Sequence, residues 1–193
     1  MAQLNESFQL ILETAEALIR EKGCRQTTLQ DIISRTGLSK GAIYHYVTGK
    51  DELLGRLLQS RVEQTNAKFY EVVDHPDTKG LEEPLQLIAE RVFGAVQHDD
   101  VTNQIFLYLL SRMDDRKVSD IMKGIYQYTL DTCSKWIEAG QRAGVIPAAA
   151  DRMQLAEGMM MFMYGLRVQN TILQDGSRMN AHEVTQFMFR VLR

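Results

Sequence analysis

Residues 36–53, TGLSKGAIYHYVTGKDEL, place a glycine-marked turn beside a stub of helix that carries two tyrosines and a histidine, with Lys40 at its start and Lys50 just beyond it. Gly37 can take a positive φ, which allows a sharp chain reversal that a residue with a Cβ would resist. Upstream, Thr28 and Asp31 have the spacing of a capping box, with Asp in place of the usual Glu, and open a short helix through Leu29, Ile32 and Ile33 that Gly37 closes. Ser39 has the side chain to cap a second short helix over residues 40–46. Two short capped helices across a glycine turn read as a helix-turn-helix. Leu29, Ile32, Ile33, Leu38 and Ile43 are the apolar faces that would hold it against the preceding helix.

Outward from this stretch the periodicity is helical throughout, and no segment alternates apolar and polar residues between hairpin turns. The expected fold is all-α with about nine helices. Phe8, Ile11, Leu12, Ala15, Leu18 and Ile19 form the stripe of a first helix, which Gly23 stops after Arg20 and Lys22 in its last turn. Thr48 with Asp51 repeats the capping arrangement before a long helix over roughly residues 49–74, which His75-Pro76 ends. Further helices fall roughly at 81–98, 102–113, 117–143, 151–174 and 180–192, separated by HDDVTN, MDDRK, AGVIPAAAD and QDGSRMN.

The chain has 193 residues, 45% hydrophobic and 24% charged, which suffices for a substantial core. Its net charge of −3 conceals a segregation. Between residues 20 and 50, Arg20, Lys22, Arg25, Arg35, Lys40 and Lys50 face only Glu21 and Asp31, a local +4 that leaves −7 on the remainder. A basic module on an acidic body is the footprint of a protein that meets phosphates at one end.

Several function classes find no support. Cys24 and Cys133 are far apart and lack CxxC or Cys/His spacing, so neither a disulfide framework nor a metal site is expected. There is no HExxH or ExxH pattern, no glycine-rich phosphate loop and no Gly-x-Ser-x-Gly elbow, and His45, His75, His98 and His182 are scattered. No catalytic residue and no cofactor are expected. The N-terminus lacks the features of a signal peptide and no run approaches the ~18 apolar residues of a membrane span, so the expectation is a soluble cytoplasmic protein in a reducing compartment.

The stretch TTLQDIISRTGLSKGAIYHYVTGKDELL, residues 27–54, resembles the DNA-binding region of the tetracycline-repressor (TetR) family of bacterial transcriptional regulators. The resemblance covers roughly residues 8–58; the rest of the chain is similar only in size and helical plan. It departs from the family pattern at Val47, often Phe, and at Gly49, often Ser or Asn. It implies that Tyr44 and its neighbours meet DNA and that Lys50 is the phosphate-binding lysine at the start of the long helix.

The chemistry of the residues agrees. Tyr44 offers a hydroxyl to phosphate or a ring to a thymine methyl, and Lys40 and His45 are candidates for base or near-base contacts. Gly41 and Ala42 are small enough for close approach. Thr28, Gln30 and Ser39 lie at helix starts, where side chains and free N–H groups can hold phosphate or, for Gln30, reach a base. Tyr46 is assigned mainly to packing.

The resemblance also implies that the acidic body binds an effector and dimerises, giving a division into residues 1–50, which read DNA, and 51–193. One short helix contacts few base pairs, so a homodimer on a palindromic operator is expected. The last two helices are the candidate seam, through Leu155, Gly158, Phe162, Gly165, Leu166, Phe187, Met188 and Val191. Phe93, Phe106, Tyr108, Met122, Tyr126, Trp136 and Met163 are candidates to line a pocket for a small hydrophobic or aromatic effector. The resulting expectation is a ligand-released repressor with no membrane partner. A helical enzyme and an effector-independent DNA-binding co-regulator are the alternatives.

Overall fold

The computed structural model describes residues 2–75, 82–95, 100–173 and 179–192; for residues 2–5, 82, 85 and 91–95 it describes the backbone alone. Among the described residues there are nine α-helices and no strands. They are α1 (Ala2–Gln26), α2 (Leu29–Thr36), α3 (Lys40–Tyr46), α4 (Lys50–Val73), α5 (Glu82–Ala95), α6 (Val101–Leu110), α7 (Arg116–Arg142), α8 (Arg152–Leu173) and α9 (Ala181–Leu192). The chain packs as two compact units.

The first unit takes residues Met1–Leu58 and Gln104–Ile125. Within α1, Gly23 leaves the helical region with φ +78° and ψ +165°, so the regular helix breaks where the glycine was expected to stop it. Ile11, Ala15, Leu18 and Ile19 are buried from α1, Ile32 from α2, Ile43 from α3 and Leu53, Leu54 and Leu57 from α4. One apolar residue per short helix goes fully inward, and the longer helices supply the rest of the core. Val47, where the family often has Phe, is 1% exposed and fills its place in this core.

The second unit takes residues Gln59–Asn103 and Tyr126–Arg193. Its core gathers Phe69, Ile88, Leu130, Cys133, Ile137, Met160, Val184 and Met188, with α5 packed along α9. The helix starts are capped: Asp151 Oδ1 accepts from the N–H groups of Met153 and Gln154 at 2.9 and 3.0 Å. Asn180 and Glu183 form a reciprocal box at 2.8 and 3.0 Å. Each such cap satisfies N–H groups that the first turn of a helix leaves without carbonyl partners.

Candidate nucleic-acid interface

The helix-turn-helix is built by its caps. Thr28 Oγ1 accepts from Asp31 N at 3.2 Å, and Asp31 Oδ2 accepts from Thr28 N at 2.8 Å, the box anticipated from the spacing. The Lys22 ammonium beside Asp31 and the bonds from Thr28 hold this carboxyl down to about 2. Gly37 sits in the left-handed region at φ +69°, and its N–H donates to Ile33 O. Ser39 accepts from Ala42 N at 3.1 Å and starts α3. The third cap differs from its reading. Thr48 donates through N and Oγ1 to Glu52 Oε2 at 2.9 and 2.7 Å, so Glu52 and not Asp51 closes it. The reason is geometric. Helix α4 begins at Lys50, which makes Glu52 the third helical residue, the position from which a side chain reaches back over the cap.

The seven residues of α3 divide cleanly. Ile43 is buried and Tyr46 stacks on Phe8 with ring centroids 5.1 Å apart, so packing claims this side. Lys40, Gly41, Tyr44 and His45 are exposed on the other, and Tyr44 is 46% exposed although it is a large aromatic. Lys40 Nζ lies 5.6 Å from the Tyr44 ring, a cation over an aromatic face one turn away. Ala42 is partly buried, while Thr28, Gln30 and Ser39 are exposed at or near the starts of α2 and α3. A short helix thus presents a cation, a phenol and an imidazole from a rigid support.

The basic excess is partly neutralised inside the unit. Arg35 binds Glu21 through two bonds of 2.6 and 2.8 Å, holding the Glu21 carboxyl below its usual range. Arg20 pairs with Glu16 at 2.7 Å and Lys22 with Asp31 at 2.8 Å. Among the described residues, this leaves Arg25, Lys40 and Lys50 without a carboxylate partner. Lys50 Nζ donates to Cys24 O at 3.0 Å and Arg25 O at 3.4 Å, carbonyls at the end of α1, and lies 5.0 Å from the Tyr108 ring.

Sequence reading missed the neighbours of this lysine. Arg112 Nη1 donates to both oxygens of Asp51, at 2.7 and 2.8 Å, and to Tyr108 Oη at 2.8 Å. The partners are 61 residues apart, a separation that carries no local spacing signal. Phe106, Tyr108 and Met122, read as candidates for an effector, all belong to this first unit.

In the second unit, an apolar cavity of about 40 Å³ is walled by Phe69, Ile88, Trp136, Met159, Met163 and Met188 among others. Trp136 and Met163 were among the pocket candidates. The Trp136 indole N–H is consumed by Asn66 Oδ1 at 2.8 Å, so the ring offers only its faces. Tyr126 stands 38% exposed against Tyr164, ring centroids 6.3 Å apart, and the Phe93 side chain lies outside the described residues. Burial pushes the thiols of Cys24 and Cys133 up to about 11 and about 12, so both are protonated and unreactive at neutral pH.

Helix α8 is apolar on more than one side. Leu166 and Met188, named for a seam, are buried in the unit's own core at 4% and 2% exposure. Phe162 stacks on Phe187 with centroids 4.3 Å apart, and Leu155, Gly158 and Val191 are half-buried. Among the described residues, the apolar face of α8 that stays exposed runs through Met161, Gly165, Val168 and Ile172, spaced i, i+4, i+7 and i+11, with Met161 69% and Ile172 72% exposed. Of these four, only Gly165 had been singled out.

The sequence model of the tetR family of bacterial regulatory proteins matches residues 11–57, which contain α2, α3 and the start of α4. The chain is 30% identical over 182 residues to the transcriptional regulator TtgR of Pseudomonas putida, covering 90% of this chain and 84% of that one. The chain belongs to the TetR family. It is also 28% identical over 144 residues to the transcriptional repressor KstR2 of Mycobacterium tuberculosis, across 72% of this chain and 70% of the relative. A TetR-family regulator of Syntrophomonas wolfei shares the fold, with TM-score 0.70 and 20% identity over 96% of this chain and 92% of that one. As a TetR-family member the chain is a transcriptional regulator and not an enzyme. Among the described residues, no helix is long and apolar enough to cross a membrane.

Proposed function

We propose that this TetR-family chain acts in the cytoplasm as a homodimeric repressor, seating α3 in the major groove of a palindromic operator and leaving it when a small apolar effector binds. The observation that carries the reading is the outer face of α3, where Lys40, Tyr44 and His45 stand exposed while Ile43 and Tyr46 pack inward. A tyrosine left exposed beside a lysine on a helix this short is poorly placed for folding and well placed for a base edge or phosphate.

Each residue then has a task. Lys40 and His45 read or approach bases, and Tyr44 meets phosphate or a thymine methyl. Gly41 and Ala42 permit close approach, and Thr28, Gln30 and Ser39 contact the flanking backbone. Lys50 has two N–H groups on carbonyls, and its third is the one a phosphate would take. Residues 1–50 form the reading module and 51–193 the body that dimerises and senses.

Dimerisation is supported by the bare stripe Met161, Gly165, Val168 and Ile172, since a contiguous apolar face on a soluble chain marks an interface. The relevant seam therefore shifts from Leu166 and Met188 to this stripe, with Phe162 and Phe187 at its side. Effector binding is supported by the cavity around Trp136, Met159 and Met163, whose walls offer almost no hydrogen-bonding group. Its 40 Å³ would admit little more than water, so a ligand must displace the methionine side chains, which their flexibility allows. Repression is supported by KstR2, a repressor.

The test is selection of a duplex from a random pool by the protein, followed by titration of that duplex across a salt series. Palindromic half-sites and a steep salt slope are expected; a pool that yields no enriched sequence would contradict the proposal.

A further inference from the structure

We propose that Tyr108, on α6, is a positioning residue for DNA binding, holding the Lys50 ammonium where a phosphate meets it. The inference rests on the reading of Lys50 as a phosphate contact.

A free lysine is a poor anchor, because four rotatable bonds must be frozen when it binds. Lys50 is already confined. The carbonyls of Cys24 and Arg25 accept two of its N–H groups, and the Tyr108 ring lies 5.0 Å from the nitrogen. The ring is itself fixed: Tyr108 Oη accepts from Arg112 Nη1 at 2.8 Å. Arg112 in turn grips both oxygens of Asp51, the residue that follows Lys50. Asp51 is available for this because Glu52 has taken over the Thr48 cap.

The result is a closed frame around the first turn of α4, made by α6 and the turn after it, all within one compact unit. It also keeps charges apart. With Arg112 in place the Asp51 carboxylate is neutralised beside the lysine; without it, a bare anion would stand next to the position a phosphate must occupy. The two N–H groups on carbonyls leave the third as the free donor, and the ring on a further side limits where that donor points. This is preorganisation of a phosphate contact by residues that do not touch DNA.

The experiment is a double-mutant cycle on the full chain, read by anisotropy on a duplex selected from a random pool by the unmodified protein. Lys50→Ala should weaken binding roughly tenfold and lower the salt slope by about one. Tyr108→Leu should weaken binding about three- to tenfold in the parent. It should cost nothing further in the Lys50→Ala background, since its effect runs through the lysine. Tyr108→Phe, which keeps the ring but loses its bond to Arg112, should recover part of the loss. Arg112→Gln provides a second entry to the same frame should the leucine variant fail to fold, and its effect should also shrink without Lys50.

Equal losses from Tyr108→Leu with and without Lys50 would overturn the positioning role while leaving the interface intact. No effect of Lys50→Ala, with Tyr44→Ala still damaging, would remove Lys50 as a phosphate contact and this inference with it. No effect of either would overturn the interface reading itself.

Discussion

Gly55 of α4 faces Ile121 of α7 so closely that a Cβ on the glycine would lie 2.5 Å from Ile121 Cγ2. The contact lies in the same unit as the helix-turn-helix, on the helix that also buries Leu53, Leu54 and Leu57. The atom met belongs to a β-branched side chain, which has little rotamer freedom to retreat. Alanine would gain about 1 kcal/mol of helix propensity and lose about 1–3 kcal/mol by overpacking. Gly55→Ala should therefore lower the midpoint of chemical denaturation, and Gly55→Val should do so further. An unchanged or raised midpoint in both would contradict the close approach.

The capping box of α2 makes stability depend on acid. The Asp31 carboxyl is drawn from its ordinary 3.8 to about 2 by Lys22 first and by Thr28 second. A depressed folded value means that this contribution is complete above the unfolded value and disappears as pH falls through the folded one. The stability gap between the protein and its Asp31→Asn variant should be constant near neutrality and close between about pH 4 and pH 2. Denaturant titrations across that range measure it, and a gap that persists at pH 2 would contradict the assignment.

Much of this local structure was legible in the sequence, and its limits have physical causes. The Thr28–Asp31 box, the Gly37 reversal and the Ser39 cap depend on residues within a few positions of one another, so spacing alone carries them. The division of α3 into a packed and a bare side followed from one turn of periodicity. By contrast, Thr48 had two adjacent acids within reach, Asp51 and Glu52, and the residue at which α4 begins decided between them, while Asp51 met Arg112 from 61 residues away, a pairing that no local spacing signals. The face of α8 was equally hidden. With Leu155, Met159, Met160, Met161, Phe162, Met163 and Leu166 in one helix, apolar residues occur on every side. Only its neighbours decide that Leu166 goes inward and Met161 outward.

The bare stripe of α8 gives a test of assembly that leaves the fold alone. Met161 and Ile172 are both largely exposed, so replacing them with Glu should cost little stability. Met161→Glu with Ile172→Glu should shift sedimentation from dimer to monomer and reduce operator affinity by at least about tenfold through lost bivalency. A variant that remains dimeric would place the seam elsewhere.

Trp136, the chain's one tryptophan, lines the apolar cavity with its N–H bonded to Asn66. Titration with an uncharged apolar compound that does not itself fluoresce, such as cyclohexane, should therefore change its emission, and Met163→Phe, which fills the space without adding a second indole, should abolish the binding step. Emission that ignores every apolar compound while operator release still occurs would move the effector site away from this cavity.

The proposed DNA contact turns on the outer face of α3. Its most direct test is the affinity of the Tyr44→Ala variant for the selected duplex, measured at fixed salt beside an unrelated duplex of equal length. Loss of at least about tenfold on the selected sequence is expected, with little change on the unrelated one and an unaltered denaturation midpoint. Equal affinity of the variant and the parent for the selected duplex would contradict the claim that this helix reads DNA.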